Sequence, residues 1–440
     1  MGNKELRAEP KNNYVSNTLW GLLEKFSRIV SGVLVGVLVA RFLGNEKFGI
    51  ITYGLSVIAV FTIFSTLGLD NLVVRELITR KINKEKILGT AFWMRFAGSV
   101  FVVIAATFYS SLRDPEQRTW IVFLLSISIV FQSLSVIDFY FQSIVKGRYT
   151  AINQVITLFV SALVKLYFIF IAAPLEWFAC MAAFEAALVA LNQWIFYRKE
   201  GNFISQWKFD WTEAKYLFVL AIPIIASSFI QMIVQNSDTI LIARFLRQMS
   251  LVGDYGAGLR ISQASYFIPV AISAAVFPGI INNRDNRELQ LKRLAQLYSI
   301  MIWSAIIIAV GGTIFGDWAI GLLYGAKYPL SPMIFKIHVW VGIPVFWGTA
   351  WGMWMLAENK QKYVVWMQLL NAVIILTSEF ILIPMKGISG AAYSMLIGSY
   401  SVFIFMVLAY KPKQGFQLFV NALNPKNIWE VFKYSKNKDL

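Results

Sequence analysis

The sequence predicts an all-α polytopic membrane protein with about twelve transmembrane helices in two six-helix bundles. The first observation behind this prediction is composition: 58% of the 440 residues are hydrophobic and 15% are charged, a balance that soluble domains do not show. The second is that apolar runs of about 20 residues, long enough to cross a bilayer as helices, recur along the chain. The third is an internal repeat that divides the chain into two similar halves.

Helices are expected rather than strands, because a chain in a bilayer satisfies its backbone only as helices or as a closed barrel. The apolar runs are too long and too uniformly apolar for barrel strands. We therefore expect a multi-pass protein of the cell membrane, either inner or plasma membrane. The predicted spans cover residues 18–43, 48–69, 87–110, 120–141, 151–173, 177–197, 216–243, 254–281, 296–316, 332–356, 364–384 and 389–410.

The repeat sets the predicted domain organisation. The residues LVARFL at 38–43 return as LIARFL at 241–246, and a Tyr-Gly pair follows each copy. A polar linker separates spans six and seven. The predicted parts are a cytoplasmic N-terminus at 1–17, an N-lobe at 18–205, a C-lobe at 206–410 and a cytoplasmic amphipathic tail at 411–440.

Charge predicts the orientation of the chain. Most of its 40 Lys and Arg residues lie in the segments that this topology places on one side, together with both termini. Because positively charged loops stay in the cytoplasm, both termini are predicted to be cytoplasmic. The net charge of +16 is then mainly a topology signal with some attraction to anionic membrane lipids, and it does not indicate a nucleic-acid partner.

The first span carries the charges around which a substrate cavity is predicted. Glu24, Lys25 and Arg28 lie inside an otherwise apolar run. A charge at that depth costs roughly 2.5–3.5 kcal/mol on insertion scales, so it is expected to face protein or water. Gln231 and Gln235 form a polar face at the equivalent place of span seven and belong to the same predicted cavity.

Three more basic residues inside spans are predicted to face this cavity, each with an alternative. Arg95 in span three and Arg260 in span eight lie near enough to a span end to reach the membrane surface by snorkelling. Lys165 in span five lies beyond the bilayer midplane. A salt bridge from Glu185 to Lys165 or to Arg95 is the structural alternative for those residues.

Other charged residues are candidates for gating or ion coupling. Asp70, Asn71 and Arg75 follow span two at the predicted cytoplasmic mouth, where they form either an inner gate or a capped loop with local ion pairs. Asp238 in span seven and Glu379 in span eleven are candidates for ion coupling.

Span ten has an aromatic face. Trp340, Trp347, Trp351 and Trp354 recur at helical spacing. Such a stripe is typical of packing or of a membrane-interface belt, and stacking against sugars is the alternative.

The chain shows no enzyme signature. It has no P-loop motif, no Cys/His spacing typical of metal sites and no nucleophile constellation in an extramembrane domain. We therefore expect no catalytic residue, no metal site and no cofactor. Transport would be driven by the membrane potential, by an ion gradient or by both, and the sequence leaves the coupling ion open.

Several short runs resemble a known family. They are Arg41-Phe-Leu-Gly44 followed by Phe48-Gly49, and the runs at 68–76, 138–142 and 253–256. Together with the twelve spans they resemble the polysaccharide transport family, the O-antigen (Wzx-like) flippases of the superfamily that also holds the MATE drug exporters and the MurJ flippase. The resemblance covers nearly the whole chain. It implies a V of two bundles, with spans one, two, seven and eight lining a central cavity.

The resemblance also implies an activity and partners. The activity is the movement of an undecaprenyl-diphosphate-linked oligosaccharide from the cytoplasmic to the outer leaflet, by a monomer that works alongside polysaccharide polymerase or ligase proteins. Two transport alternatives stay open: a MATE-like cation-coupled drug antiporter, and a flippase for lipid II or a teichoic-acid precursor. A membrane glycosyltransferase or ligase is a third, although it would need a larger external loop than the sequence offers.

Overall fold

The computed structural model describes residues 11–80, 83–281 and 286–427, with side chains from residue 32 onward except those of residues 33 and 278. Every regular element in these ranges is helical. The α-helices are α1 (Lys11–Thr66), α2 (Leu69–Thr79), α3 (Lys84–Ser111), α4 (Glu116–Gln132), α5 (Val136–Ser143), α6 (Gly147–Phe170), α7 (Leu175–Lys199), α8 (Trp211–Leu246), α9 (Met249–Gln263), α10 (Phe267–Ile281), α11 (Arg287–Tyr324), α12 (Ser331–His338), α13 (Gly342–Ala357), α14 (Gln361–Lys386), α15 (Ile388–Leu408) and α16 (Pro412–Ala422).

Helix α1 joins the first two predicted spans. It has 56 residues, about 84 Å at 1.5 Å per residue, which is more than twice the thickness of a bilayer core. A break interrupts it at Gly44, where φ is 75° and ψ is 170°, a left-handed conformation that glycine adopts without steric penalty.

The described residues contain eleven helical segments long and apolar enough to cross a membrane. One of them, Leu34–Thr79, has 46 residues, which is about twice the length of one crossing. Three others are helix pairs joined by a single 3₁₀ turn, namely α4–α5, α9–α10 and α12–α13. The all-α polytopic fold is therefore confirmed. The segment Leu34–Thr79 contains the end of the first predicted span and the whole of the second.

The first compact unit comprises Met1–Leu43 and Gly54–Met232. Its core includes a cluster in which α2 packs on α3 and α5. Leu69, Leu72 and Val73 recur at three- and four-residue spacing and are buried, so one face of α2 is apolar. The sequence analysis expected a loop here, and this apolar periodicity explains why the chain forms a helix instead.

The second compact unit comprises Gly44–Tyr53 and Ile233–Leu440. Three tryptophans of the stripe, Trp347, Trp351 and Trp354, are almost fully buried in its core. The ring of Trp347 stacks on Tyr298 with centroids 3.8 Å apart. At these three positions the tryptophans of the stripe therefore belong to the packed core. The indole N–H of Trp340 instead donates a hydrogen bond to the Thr313 hydroxyl.

The division between the units falls inside α8, after Met232, whereas the sequence analysis places the lobe boundary at 205/206. Helix α16 covers part of the predicted tail, with Leu418 and Ala422 buried. The remaining predicted tail residues, 428–440, lie outside the described residues.

Candidate functional site

The charged face of α1 is where the sequence predicts the main substrate contacts. Glu24, Lys25 and Arg28 lie where the backbone is helical, but their side chains lie outside the described part of the chain. Their contact with a substrate therefore stays a prediction.

Arg95 of α3 is a buried cation with 3% of its surface exposed. Its Nη1 donates to Asp70 Oδ1 at 2.6 Å, and its guanidinium lies over the ring of Phe139, 5.3 Å from the centroid. Burial excludes snorkelling for this side chain. The predicted alternative of a salt bridge between Arg95 and Glu185 is wrong, because α2 packs on α3 and places Asp70 beside Arg95.

Lys165 of α6 does pair with Glu185 of α7. Its Nζ lies 2.5 Å from Glu185 Oε1, and the Ser161 hydroxyl donates to the same carboxylate. The two side chains are 28% and 35% exposed, so the pair is only partly buried. The predicted salt bridge is confirmed for this pair, and a substrate contact by Lys165 stays a prediction.

A cavity of about 570 Å³ lies beside this pair, between α4–α5, α6 and α7. We call it the unit 1 cavity. Gln154 and Ser161 of α6 line it, together with Glu185 and Gln193 of α7. Gln154 and Gln193 were not among the predicted site residues, although polar residues at three- and four-residue spacing on α6 are a visible signal.

The residues predicted to form a gate separate into two groups. Asp70 pairs with Arg95, as described above. Arg75 is bound to its neighbour Glu76, with Nη2 2.8 Å from Oε1, as the alternative of local ion pairs predicts, and Asn71 lies exposed on the same helix.

An ion-pair network that the sequence analysis missed ties α2 to the start of α8. Arg80 Nη1 lies 2.6 Å from Glu213 Oε1 and 3.5 Å from Glu76 Oε2. The Tyr216 hydroxyl also donates to Glu76. Because Glu213 and Tyr216 are more than 130 positions away from their partners in the sequence, local sequence pattern offers no signal for these two contacts.

The two predicted candidates for ion coupling are both buried carboxyl groups of unit 2. Asp238 of α8 and Glu379 of α14 are each 0% exposed. The Tyr255 hydroxyl donates to Asp238 Oδ2 at 2.6 Å, and the two carboxyl groups lie close enough to interact electrostatically. A buried pair of like charges is unfavourable unless a proton or cation compensates it.

The remaining predicted cavity residues are exposed. Gln231 and Gln235 lie one helical turn apart on α8. Arg260 of α9 has its guanidinium 5.7 Å from the centroid of the Phe48 ring, a cation–π geometry. Gln231 belongs to unit 1, whereas Gln235 and Arg260 belong to unit 2.

A family model settles the class of this helical protein. The model of the polysaccharide biosynthesis protein family matches residues 38–331, well over half of the chain. The chain belongs to this family.

Two relatives with the same name are similar in sequence to this member of the polysaccharide biosynthesis family. The chain is 24% identical over 201 residues to a protein named probable lipid II flippase MurJ, from Helicobacter pylori strain ATCC 700392 / 26695, and the aligned region covers 44% of this chain and 43% of that relative. The same region aligns with 23% identity to the protein of that name from strain J99. The chain thus matches less than half the length of these relatives.

Solved structures of other proteins have a similar fold to this family member. Lipid II flippase MurJ in an inward closed conformation superposes with a TM-score of 0.74 at 14% identity, covering 93% of this chain and 91% of that one. The MATE multidrug transporter DinF-BH superposes with a TM-score of 0.63 at 15% identity, covering 94% of this chain and 98% of that one. The protein therefore has the fold of the flippase and multidrug transporter superfamily.

Proposed function

We propose that this protein is a flippase that moves an undecaprenyl-diphosphate-linked oligosaccharide, such as an O-antigen or exopolysaccharide repeat unit, from the cytoplasmic to the outer leaflet by alternating access. The observation that carries the proposal is membership of a polysaccharide biosynthesis family in a chain made mostly of membrane-spanning helices. Such a chain is suited to moving a polysaccharide precursor rather than to making one. It acts as a monomer without a cofactor, and polymerase or ligase proteins receive its product.

Basic residues inside the spans suit an anionic diphosphate. A guanidinium binds phosphate oxygens through a bidentate fork, which an ammonium cannot do. Arg28 is the first candidate, held by Glu24 until substrate arrives, with Lys25 beside it. Arg95 and Arg260 are further candidates, as is Lys165 once its pair with Glu185 is broken. The guanidinium of Arg95 has an Nε that is buried without a hydrogen-bond partner among the described residues.

The membrane potential favours this direction of transport. Moving two negative charges outward across an inside-negative membrane is favourable by about 4–5 kcal/mol per 100 mV. We propose ion coupling in addition at Asp238 and Glu379, because a bound cation or proton would compensate these buried carboxyl groups. The ion itself is left open. Asp70, Asn71 and Arg75 serve as the inner gate in this proposal.

The test is a reconstituted flipping assay. Proteoliposomes that contain the full-length protein are loaded with the lipid-linked glycan that accumulates in a deletion strain, and its appearance in the opposite leaflet is measured. Arg28→Ala should abolish flipping while the protein still inserts, and Arg28→Lys should retain part of the rate. Normal flipping in the double variant Glu24→Gln with Arg28→Gln would show that the two residues only neutralise each other.

A second candidate function is cation-coupled export of organic cations. The buried pair of Asp238 and Glu379 favours it, since transport of a cationic drug needs a site where negative charge accumulates. Efflux of a fluorescent cationic dye from cells that express the protein distinguishes the two functions. Dye efflux without lipid flipping would replace the first proposal.

A further inference from the structure

The walls of the unit 1 cavity combine polar and apolar side chains. They are formed by cavity-lining residues between Ser128 and Asp138 on α4–α5, between Gln154 and Ser161 on α6, and between Ala182 and Gln193 on α7. On α4–α5 and α6, polar side chains recur at about one helical turn, whereas on α7 Glu185 and Gln193 lie two turns apart with alanine and valine between them. The cavity is therefore a slot of mixed lining, with polar groups placed along an otherwise apolar bundle.

One wall residue has an unused hydrogen-bonding group. Gln193 is 4% exposed, and its Oε1 is buried without a hydrogen-bond partner among the described residues. Buried polar atoms in native folds almost always have a partner, so such an acceptor points to a ligand that donates a hydrogen bond. Packing does not account for the amide, since leucine of similar size would fill the same place.

The charges at the cavity argue against a diphosphate. The carboxylates of Asp138 and Glu185 line it, and Lys165 is the ammonium paired with Glu185. The net charge of these three groups is negative. A neutral or cationic ligand is therefore favoured over an anion.

The hydrogen bonds of these carboxylates also argue against a bare metal ion. Asp138 accepts from Gln142 and Thr150, and Glu185 accepts from Ser161 in addition to its pairing with Lys165. Among the residues that the structure describes, no group of three His, Cys, Asp or Glu side chains could hold a metal. What the cavity offers instead is neutral amides and hydroxyls, which both donate and accept.

We propose that the unit 1 cavity is a carbohydrate subsite, which binds hydroxyl or acetamido groups of the glycan head of the transported lipid. This inference rests on the proposed flippase function and adds where the sugars are bound. The exposed ring of Phe131 on the cavity wall supplies an apolar surface for a sugar face. An acyl chain does not suit the site, because it would leave the buried amide oxygen of Gln193 without a partner.

The first test compares two lipids in proteoliposomes of the full-length protein. One is the lipid-linked glycan extracted from the deletion strain, and the other is undecaprenyl diphosphate without sugar. Gln193→Leu and Gln154→Leu should each lower the flipping rate of the glycan lipid by roughly three- to tenfold, the effect of one or two lost hydrogen bonds, and leave the rate of the sugar-free lipid unchanged. Equal slowing of both lipids, or no slowing of either, overturns the proposal.

The matched control is Asn192→Leu. Asn192 neighbours Gln193 on α7 and also has a buried amide atom, Nδ2, without a partner among the described residues, but it does not line the cavity. Substitution of Asn192 should change neither flipping rate. A selective loss of glycan-lipid flipping in this variant would count against the cavity as the subsite.

A second measurement separates this inference from the flippase proposal. Ser135→Cys, which lies on the cavity wall, is labelled with a water-soluble maleimide after the exposed Cys180 has been replaced by alanine. The oligosaccharide released from the extracted lipid should slow labelling at least threefold, even if neither lipid is flipped. Unchanged labelling overturns the subsite, whereas protection without flipping overturns only the transport activity.

Discussion

At the residue scale, the ion pairs inside the spans differ in how deeply each partner is buried. In the pair of Arg95 and Asp70, the arginine side chain is 4% exposed and the aspartate side chain is 57% exposed. If the pair is broken, the aspartate can be hydrated where it stands but the arginine cannot. The two partners should therefore respond differently to substitution.

This asymmetry gives a stability prediction. Asp70→Asn leaves a buried guanidinium without a counter-charge and should destabilise the protein by about 3 kcal/mol. Arg95→Met removes the charge but keeps much of the packing over Phe139, so it should destabilise much less. Thermal unfolding of the purified variants in detergent measures both. Equal destabilisation by the two substitutions would contradict the argument.

A second residue-level prediction concerns Glu200, which lies just after α7. The hydrogen bond from Lys146 lowers the pKa of Glu200 and raises that of Lys146, and the two atoms lie 2.6 Å apart. A lowered carboxyl pKa stabilises the fold above its unfolded value, roughly 4.3, and this contribution is lost as the pH falls through the folded pKa. The raised lysine pKa contributes below its unfolded value, roughly 10.4.

The pair should therefore stabilise the protein fully at neutral pH. The difference in unfolding temperature between the wild type and Glu200→Gln should be largest near pH 7 and should decrease as the pH falls below the unfolded value of the carboxyl pKa. Lys146→Met should show the same decrease. A difference that stays constant on acidification would show that the glutamate acts through packing rather than through charge.

At the element scale, glycines allow two helical segments of unit 2 to meet backbone to backbone. A Cβ on Gly49 would lie 1.9 Å from the carbonyl oxygen of Met249, and a Cβ on Gly253 would lie 1.9 Å from that of Asn45. Both glycines belong to the runs on which the family resemblance rests. The glycines in those runs therefore have a role in helix packing that is independent of any substrate.

This contact gives a prediction with a matched control. Gly49→Ala and Gly253→Ala should each destabilise the protein by about 1–3 kcal/mol, the usual effect of overpacking, because backbone atoms must move. Gly311→Ala in α11, where an added Cβ meets nothing within 4 Å, should be neutral or stabilise by about 0.5–1 kcal/mol. Unfolding temperatures measure all three, and a tolerated Gly253→Ala would contradict the close approach.

The elements also show which parts of the fold the sequence could predict. The length of the apolar runs predicted the spans, because a membrane-spanning helix can be recognised from consecutive residues alone. It could not predict that α2 is a helix that brings Asp70 to Arg95, since this pairing depends on packing between elements. The buried Gln193 was missed for the same reason: its amide is unusual only once the neighbouring helices are in place.

At the scale of the whole molecule, the interiors of the two helical units are lined by different kinds of side chain. The core of unit 2 contains large aromatic side chains such as Trp347 and Tyr298, whereas the unit 1 cavity is lined by apolar residues together with Glu185 and Gln193. The sequence repeat predicted two similar halves, and it did not predict this difference. We expect substitutions in the unit 2 core to affect stability, and substitutions in the unit 1 cavity to affect substrate selection.

The orientation of the whole chain is a separate prediction, because it rests on the charge of the loops. Reporter fusions are expected to report cytoplasm after Lys84, Gly201, Arg287 and Lys413. Fusions near Arg113 and Ala326, at the opposite ends of α3 and α11, should report the exterior, because Lys and Arg are sparse there and such loops are translocated. A cytoplasmic signal at either of these two sites would break the twelve-span topology, and with it the cytoplasmic placement of both termini.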